Sequence, residues 1–349
     1  MAATNDTALA GFYERLHSNR MMGLWEMFSA YGRNVRDGKL AEPAQIWRWR
    51  DVYPLLMEST EIALDPRAGV ERRNLVFTGK DAGLGSAVPT MGCGVQSLLP
   101  GESAQCHRHD AAAIRFVIQG KGAYTAVEGE RLYMEPGDLV LTPHWTWHEH
   151  CNEGDEHVIW MDGLDSGFSM MYLKAQAWEA YPERRHPEDH AVGYTRRRVG
   201  TGLVRPVGRI PEPTLPLIYP WAETRDELLR QKEQKELWDP YDGFLVEYVN
   251  PATGGSTLPT LSCRMQLLPA GSSTKSHRHL SNYIYRVFRG NGWTDVGGQR
   301  LEWEAGDCFI VPQWIWHSHT ATSEDAFLFS MNDQPIFEPF GLHASEAAD

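Results

Sequence analysis

Three histidines stand at spacings that could hold one metal ion. His107 and His109 are separated by a single residue, so on an extended strand both imidazoles would point to the same face, because strand side chains repeat every two residues. His148 lies further along the chain and would approach them from another strand. Imidazoles are good ligands for divalent transition metals. The spacing therefore predicts a mononuclear metal site made of these three side chains.

The residues around these histidines resemble the two motifs of the cupin superfamily, which consists of small β-barrels that hold a metal ion. The first motif is a glycine, five residues and a His-x-His triplet, and here it runs from Gly101 to His109. The second is a glycine, five residues, a proline, a histidine and an asparagine, and here it runs from Gly137 to Asn152. Many cupins add a glutamate ligand, but that position is Ala113. A bound ion would keep its double positive charge and favour an anionic, chelating substrate.

Both motifs occur a second time. His277-Arg278-His279 repeats His107-Arg108-His109, and Trp316-His317 repeats Trp147-His148. An internal repeat of this kind indicates two copies of one fold. Short β-prone segments between glycine and proline turns are typical of an all-β barrel. The sequence therefore predicts a mainly β bicupin, with two tandem cupin β-barrels, an N-terminal helical segment and a mixed inter-barrel connection.

The rest of the chain lies around these two barrels. The start lacks strand alternation, and a helix is predicted from Trp47 to about Leu64, with a kink or break at Pro54. The region between the barrels is predicted to serve mainly for packing. The predicted limits are 1–69 for the helical segment, 70–168 for the first barrel, 169–255 for the connection, 256–340 for the second barrel and 341–349 for the tail.

Two positions distinguish the repeats and indicate that the first barrel is the catalytic one. Arg115 becomes Tyr285 in the second repeat, and Asn152 becomes Ala321. Arg115 stands an even number of residues after His109, so on an unbroken strand it would face the metal. A buried guanidinium needs an anionic partner, which is either a substrate carboxylate or a structural Asp or Glu.

The second set of histidines, His277, His279 and His317, leaves two alternatives open. It is either a second metal site or a hydrogen-bonded cluster that has lost its metal. We favour the second alternative and expect the second barrel to be non-catalytic.

Composition limits the class of partner. Lys and Arg total 33 and Asp and Glu total 46, which gives a net charge of −13 and argues against nucleic acid or an anionic membrane surface. The five cysteines are odd in number and lack CxxC spacing. Without a recognisable signal peptide or an apolar run of about 20 residues, this predicts a cytoplasmic protein.

Beyond the cupin motifs, the chain resembles the gentisate and salicylate 1,2-dioxygenases, which are ring-cleaving bicupins that include 5-nitrosalicylate and 1-hydroxy-2-naphthoate dioxygenases. The resemblance extends over most of the chain. Its most specific parts are Glu71-Arg72-Arg73, Gln96 to Glu102, Arg115-Phe116, Trp147-His148-Glu149-His150 and Trp160 to Asp165.

This resemblance implies Fe(II) on the histidines of the first barrel, His107, His109 and His148. It implies a substrate-binding role for Arg115, and outer-sphere or acid–base roles for His150 and Asp162. Either Arg72 or Arg73 would approach the substrate carboxylate, and the protein would be a homotetramer. Two local alternatives stay open. The retention of His319 at the position of His150 allows a structural role for His150, and the alternative for Asp162 is that it only caps a turn.

The implied substrates are O2 and an aromatic acid with an ortho hydroxyl, cleaved between the carboxyl-bearing and hydroxyl-bearing carbons. Salicylate-cleaving relatives tend to have a Trp at the place of Gly92, so Gly92 and Gly94 predict a roomy substrate pocket that accepts a larger or 5-substituted ring. Gln96 or Asp162 would supply a partner for a 5-hydroxyl group. Gentisate, salicylate, 5-nitrosalicylate and 1-hydroxy-2-naphthoate remain alternatives.

Two other classes of function are weighed against this one. A metal-dependent bicupin isomerase or decarboxylase usually retains the glutamate ligand, which is absent at Ala113 and Tyr283. A non-enzymatic bicupin binding protein would be expected to lose its histidines, and both sets are complete here.

Overall fold

A computed structural model describes residues 2–26, 43–61, 73–83, 85–183, 185–200 and 215–348. The chain divides into two compact units, Met1–Ala41 and Glu42–Asp349. The first unit contains helix α1 (Ala2–Ser18), and in it the Trp25 indole donates a hydrogen bond to the Tyr13 hydroxyl at 2.8 Å. The second unit holds both barrels. Its helices are α2 (Trp49–Glu61), α3 (Tyr194–Val199), α4 (Trp221–Glu233) and α5 (Gln334–Phe337), with a π-helix at Gly167–Tyr172 and 3₁₀ turns at Lys235–Leu237 and Glu338–Phe340.

The first barrel consists of two antiparallel sheets that face each other. The six-stranded sheet has the order β12-β8-β5-β10-β3-β2, and the five-stranded sheet has the order β11-β4-β9-β6-β7. Their bounds are β2 Arg73–Phe77, β3 Gly92–Leu98, β4 Ser103–His109, β5 Ala113–Gln119, β6 Ala123–Val127, β7 Glu130–Tyr133, β8 Leu139–Thr142, β9 His148–Asn152, β10 Val158–Leu164, β11 Trp178–Ala180 and β12 Ile218–Tyr219.

The second barrel repeats this arrangement strand for strand, as the sequence repeat predicts. Its sheets have the orders β1-β19-β16-β21-β14-β13 and β18-β17-β20-β15-β22. Their bounds are β1 Ile46–Trp47, β13 Phe244–Glu247, β14 Ser262–Leu268, β15 His277–His279, β16 Tyr283–Arg289, β17 Asn291–Val296, β18 Gln299–Glu304, β19 Cys308–Val311, β20 His317–Ala321, β21 Ala326–Asn332 and β22 Ser345–Ala347.

Segments outside the predicted barrel limits complete both barrels. The connection supplies β11 and β12 to the first barrel, so it does more than pack. The tail supplies β22 beside β15, and the segment predicted to be all-helical supplies β1 beside β19. Helix α2 runs through Pro54, so of the predicted kink or break the break is wrong.

The two edge strands β1 and β12 are each followed by a helix that is attached in the same way. The backbone N–H of Trp49 donates to the Asp307 carboxylate at 2.8 Å, and that of Trp221 donates to Asp138 at 2.8 Å. Each indole lies against a glycine of the turn before the aspartate; at Gly306, for example, an added Cβ would lie 2.5 Å from the Trp49 ring. The segment that precedes the first barrel thus adds β1 to the second barrel, and the segment that precedes the second barrel adds β12 to the first.

The six-stranded sheets of the two barrels pack against each other through their outer faces. Phe116 of β5 stacks on Phe329 of β21, with ring centroids 4.3 Å apart. Gly163 leaves room for Met331, because an added Cβ would lie 2.1 Å from the Met331 sulfur. The opposite, inner face of the first of these sheets carries the polar side chains of Arg115 and Asp162.

Loss of the carboxylate that anchors α2 should destabilise the protein. Asp307 is fully buried and also accepts a hydrogen bond from Arg48 at 3.0 Å. Because Asp307→Ala leaves a backbone donor and a guanidinium without their partner, we expect the free energy of unfolding in guanidinium to fall by about 2–4 kcal/mol. Asp295→Ala is the control, since Asp295 forms an exposed pair with Arg300 at 3.4 Å, and its loss should cost less than about 1 kcal/mol. Equal effects of the two substitutions would contradict the anchoring role.

Candidate metal centre and substrate cavity

His107, His109 and His148, here called the first triad, meet on the inner face of the five-stranded sheet. Their potential ligand atoms all lie within 4.8 Å of one another. Strand β4 contributes the His-x-His pair, and the register of β4 and β9 places His107 directly opposite His148. The predicted tripod is therefore brought together by one strand pair, as the two-residue period requires.

Backbone carbonyls orient all three rings. Each Nδ1 contacts a carbonyl oxygen two residues away in the chain, and a carbonyl can only accept, so Nδ1 carries the proton and Nε2 the lone pair. The acceptors are Gln105, Ala111 and Thr146, at 3.0, 2.7 and 2.9 Å. Among the described residues, the buried Nε2 of His148 has no hydrogen-bond partner. Burial and the neighbouring His107 hold the pKa of His148 well below its usual value. This set of neutral, pre-oriented donors fits a divalent transition metal.

A cavity of about 110 Å³ lies between the two sheets of the first barrel. The first triad and His150 form one wall, on the five-stranded sheet. Polar side chains of the six-stranded sheet form the other. The residues of that second wall are Asn74, Gln96, Ala113, Arg115, Asp162 and Leu164.

Arg115 and Asp162 are neighbours on β5 and β10, and both are buried. Arg115 Nε lies 3.5 Å from Asp162 Oδ1, and its Nη1 donates to the Thr142 hydroxyl. Burial lowers the pKa of Arg115, and Asp162 opposes that shift. Burial also raises the pKa of Asp162 to about 6, although Arg115 and the Trp160 indole act in the opposite direction. Arg115 thus has a carboxylate partner within the protein and still lines the cavity. Asp162 lies inside β10, so the turn-capping alternative is wrong.

Asn74 is a cavity residue that the sequence analysis missed. Its Nδ2 donates to Asp162 Oδ2 at 2.6 Å. Asn74 Oδ1 and Gln96 Nε2 are buried and without a hydrogen-bond partner in the described parts of the chain. One acceptor and one donor therefore stand unsatisfied beside the Asp162 carboxylate. The two-residue period could have identified Asn74, because positions 72 and 74 share a face on an extended strand and Arg72 was one of the two arginines expected to approach the substrate.

Arg73 occupies the other face of β2, which corrects its assignment as a residue directed at the substrate. Its guanidinium forms two hydrogen bonds with the Glu102 carboxylate, each 2.6 Å long. Neither residue is among the described residues that line the cavity. Arg72, the alternative, lies outside the described residues.

The two glycines expected to enlarge the pocket are filled by other side chains. An added Cβ on Gly94 would lie 2.4 Å from Asn74 Oδ1, and one on Gly92 would lie 2.7 Å from the Ser166 hydroxyl. Their missing side chains therefore make room for Asn74 and Ser166. The space beside these glycines was expected to hold substrate, but side chains of the protein occupy it. The prediction of a roomy pocket is therefore wrong.

His150 and its counterpart His319 share one contact and differ in their access to a cavity. Each Nδ1 lies 2.9 Å from a threonine hydroxyl, Thr125 or Thr294. This bond is common to both barrels and is structural. His150 lines the cavity, whereas His319 lies beside the Tyr285 ring at 5.0 Å and is not among the described residues that line the second barrel's cavity. The place of this histidine at a cavity is specific to the first barrel.

Comparisons with known proteins agree with this geometry. The cupin domain family matches twice, over residues 94–164 and 264–331. The chain is 38% identical to the 5-aminosalicylate 1,2-dioxygenase of Comamonas sp, over 98% of this chain and 91% of that one. It is 34% identical to gentisate 1,2 dioxygenase 1 of Aquipseudomonas alcaligenes, over 95% and 94% of the two chains. The chain belongs to the gentisate and salicylate 1,2-dioxygenase family.

The same family appears in the structural comparison. Salicylate 1,2-dioxygenase from Pseudaminobacter salicylatoxidans superposes with a TM-score of 0.83 at 30% identity, and 97% of each chain is covered. The structure of that enzyme in its adduct with gentisate gives a TM-score of 0.84. These matches confirm the predicted bicupin fold and the class of enzyme, a ring-cleaving dioxygenase. In the described part of the chain, no helix has the length and apolar character needed to cross a bilayer.

Proposed function

We propose that this protein is an Fe(II)-dependent dioxygenase that uses O2 to cleave an ortho-hydroxybenzoate carrying a polar group at C5, between the carboxyl-bearing and hydroxyl-bearing carbons. Gentisate and 5-aminosalicylate are its preferred substrates, ahead of salicylate and 5-nitrosalicylate. The observation that carries the proposal is the polar wall opposite the first triad. There Asn74 Oδ1 and Gln96 Nε2 lack hydrogen-bond partners among the described residues, next to the Asp162 carboxylate.

The donor set of the first triad supports iron. Imidazole nitrogen suits Fe(II), and three neutral ligands leave the charge of the ion for an anionic substrate to balance. When bound, Fe(II) would supply a chelation site for the carboxylate and hydroxyl oxygens and the one-electron chemistry that O2 requires.

The protein side chains then have separate tasks. Arg115 anchors the substrate carboxylate, because it is the cation in the described wall of the cavity and a guanidinium matches a carboxylate. His150, held by Thr125, accepts the phenolic proton. Asp162 accepts a hydrogen bond from a 5-hydroxyl or 5-amino group, and Gln96 donates to the same group. A nitro group offers no donor to Asp162, so 5-nitrosalicylate should bind less well.

The assembly and location of the protein belong to the same proposal. Its family resemblance supports a homotetramer. All five cysteines are buried and unpaired, which is consistent with the reducing cytoplasm. Light scattering of the purified protein tests the first point.

Oxygen uptake by the Fe(II)-loaded protein tests the reaction class. We expect uptake with gentisate, 5-aminosalicylate and salicylate, and the appearance of both atoms of labelled O2 in the ring-opened product. Metal-free protein is the control. A product formed from any of these acids without oxygen consumption would instead favour the isomerase or decarboxylase class.

Asp162→Asn should change substrate preference. The variant loses a charged acceptor for the 5-substituent, which is worth about 1.5–3 kcal/mol, so kcat/KM for 5-aminosalicylate and gentisate should fall about 10–100-fold relative to salicylate. Salicylate is the internal control, because it has no 5-substituent and reports any general effect on Arg115. An unchanged ratio would remove Asp162 from substrate recognition.

The same carboxylate predicts a pH dependence. With a pKa raised to about 6, Asp162 is ionised at pH 7 and accepts the substrate's hydrogen bond; as pH falls through 6 it becomes protonated. The groups that face it are Arg115, Asn74 and the Trp160 indole. The kcat/KM for gentisate, relative to that for salicylate, should therefore fall below pH 6 in the wild type and stay flat in Asp162→Asn.

A further inference from the structure

The second barrel reproduces the geometry of the first triad. His277, His279 and His317, here called the second triad, have potential ligand atoms within 4.8 Å of one another. Their ring centroids are 5.6, 4.2 and 4.9 Å apart in the three pairs. The corresponding separations in the first triad are 5.5, 4.2 and 4.9 Å. A hydrogen-bonded cluster without a metal would not need this geometry. We propose that the second triad binds a second divalent metal ion.

The orientation of the rings supports the same conclusion. His279 Nδ1 contacts the Ser281 carbonyl at 2.8 Å, and His317 Nδ1 contacts the Ile315 carbonyl at 3.1 Å. The lone pairs therefore belong to the Nε2 atoms. Both Nε2 atoms are buried and have no hydrogen-bond partner in the described ranges. A buried polar atom without a hydrogen-bond partner destabilises the fold by about 1–3 kcal/mol. A metal ion bound by both Nε2 atoms would remove this destabilisation.

A carboxylate stands beside the second triad. Asp242, in the turn before β13, has its Oδ1 3.8 Å from His277 Nε2, too far for a hydrogen bond. Asp242 lies outside the group of ligand atoms that come within 4.8 Å of one another, so we place it as a nearby anion and not as a fourth ligand. The carboxylate reduces the charge of a bound ion, which then has no need of a dianionic chelate.

The surroundings of the second triad differ from the catalytic cavity in both size and charge. The adjoining cavity has a volume of about 320 Å³, compared with about 110 Å³ in the first barrel. Tyr285 stands at the position of Arg115. The strand register places Arg264 where the first barrel has Gly94, and its guanidinium is held by the Tyr283 hydroxyl at 2.7 Å and by Gln334 at 2.9 Å. The second metal site is therefore distinct from the ring-cleaving one.

Titration of metal-free protein with Co²⁺, followed by its visible absorption, tests this proposal. The wild type should bind two equivalents of Co²⁺ per chain. His317→Ala and the matched His148→Ala should each lose one equivalent, and only His148→Ala should lose oxygen uptake after loading with Fe(II). If the wild type binds only one equivalent of Co²⁺ and His317→Ala still binds it, the proposal is overturned, whether or not catalytic activity is observed.

Asp242→Asn provides a milder variant in case His317→Ala does not fold. It preserves the shape of the side chain and removes the charge, so the affinity for the second equivalent of Co²⁺ should fall about 10–100-fold while that for the first stays unchanged. Circular dichroism checks the fold of each variant. Unchanged affinity for both equivalents would remove Asp242 from the site, and an equal loss for both would contradict the assignment to one barrel.

Discussion

Replacing His148 by Ala is expected to abolish ring cleavage. The substitution removes one of the three donors of the first triad, and the two that remain, His107 and His109, come from a single strand. Loss of an outer partner of a metal ligand already costs 10–100-fold in affinity or activity, so loss of a ligand should lower oxygen uptake by more than about 100-fold. Metal content per chain and oxygen uptake with gentisate measure the two effects.

The matched control for this variant is His317→Ala, the same change in the second barrel. The two histidines have the same place in their strands, and each is almost fully buried, so the structural consequences should be similar. Only the variant in the first barrel should lose catalysis. Uptake that survived in His148→Ala and disappeared in His317→Ala would place the chemistry in the second barrel and contradict the roles given to Arg115 and Asp162.

The features that the sequence predicts well are those set by local periodicity. The His-x-His spacing needs only that β4 is extended. The even separation of His109 and Arg115 assumed an unbroken strand, but β4 ends at His109 and β5 begins at Ala113 in the other sheet, so parity does not explain the inward position of Arg115. The repeat of the motifs determines the second barrel. For these reasons the fold class and the convergence of the first triad could be derived from residue spacing, whereas the place of Arg115 in the cavity depends on how the two sheets face each other.

The remaining features depend on contacts between distant parts of the chain. Gly92 and Gly94 indicate missing side chains, but nothing in the sequence shows that Ser166 and Asn74 fill the space. The Arg73 alternative was excluded for a similar reason, whereas Arg72 lies outside the described residues. Arg73 and Asn74 differ by one position, and a one-residue difference in register exchanges the two faces of a strand.

The edge strands show the same dependence at a larger scale. Strands β1 and β22 are short, and neither has a sequence pattern long enough to indicate a strand. Their place is set by the barrel that they complete; for example, Glu346 of β22 pairs with Arg278, as Glu179 of β11 pairs with Arg108. A repeat search on the histidine motifs does not include these segments, so the barrel limits drawn from it were too narrow.

The two walls of the catalytic cavity divide the work of recognition. In the proposed function, the first triad would coordinate any ortho-hydroxy acid through its metal ion, whereas the opposite wall would distinguish one ring from another. In the first barrel Arg115 is the guanidinium among the described residues that line the cavity, whereas the second barrel has Tyr285 at that position and carries Arg264 in its own cavity. The arginine is therefore the residue on which substrate binding in the first barrel should depend most strongly.

Arg115→Ala is accordingly expected to lower kcat/KM for every ortho-hydroxy acid by about 10²–10⁴-fold. Truncating one partner of a buried, charged hydrogen-bonded pair costs about 2–5 kcal/mol or more, and a substrate carboxylate would lose that partner in the cavity. Steady-state oxygen uptake with salicylate, gentisate and 5-aminosalicylate measures the loss. Arg131→Ala is the control, since Arg131 belongs to the same barrel, is partly exposed and pairs with Glu153 and Glu188 on the surface.

The structural role of Arg115 can be separated from its role in binding by a double variant. Arg115→Ala alone leaves the buried Asp162 carboxylate without its guanidinium partner, which destabilises the protein and raises the pKa of Asp162 further above its usual value. Arg115→Ala with Asp162→Asn removes that unpaired charge, so the free energy of unfolding should recover. Catalysis of salicylate, which makes no use of Asp162, should not. If activity toward salicylate returned together with stability, Arg115 would be a partner of Asp162 and not the anchor of the substrate.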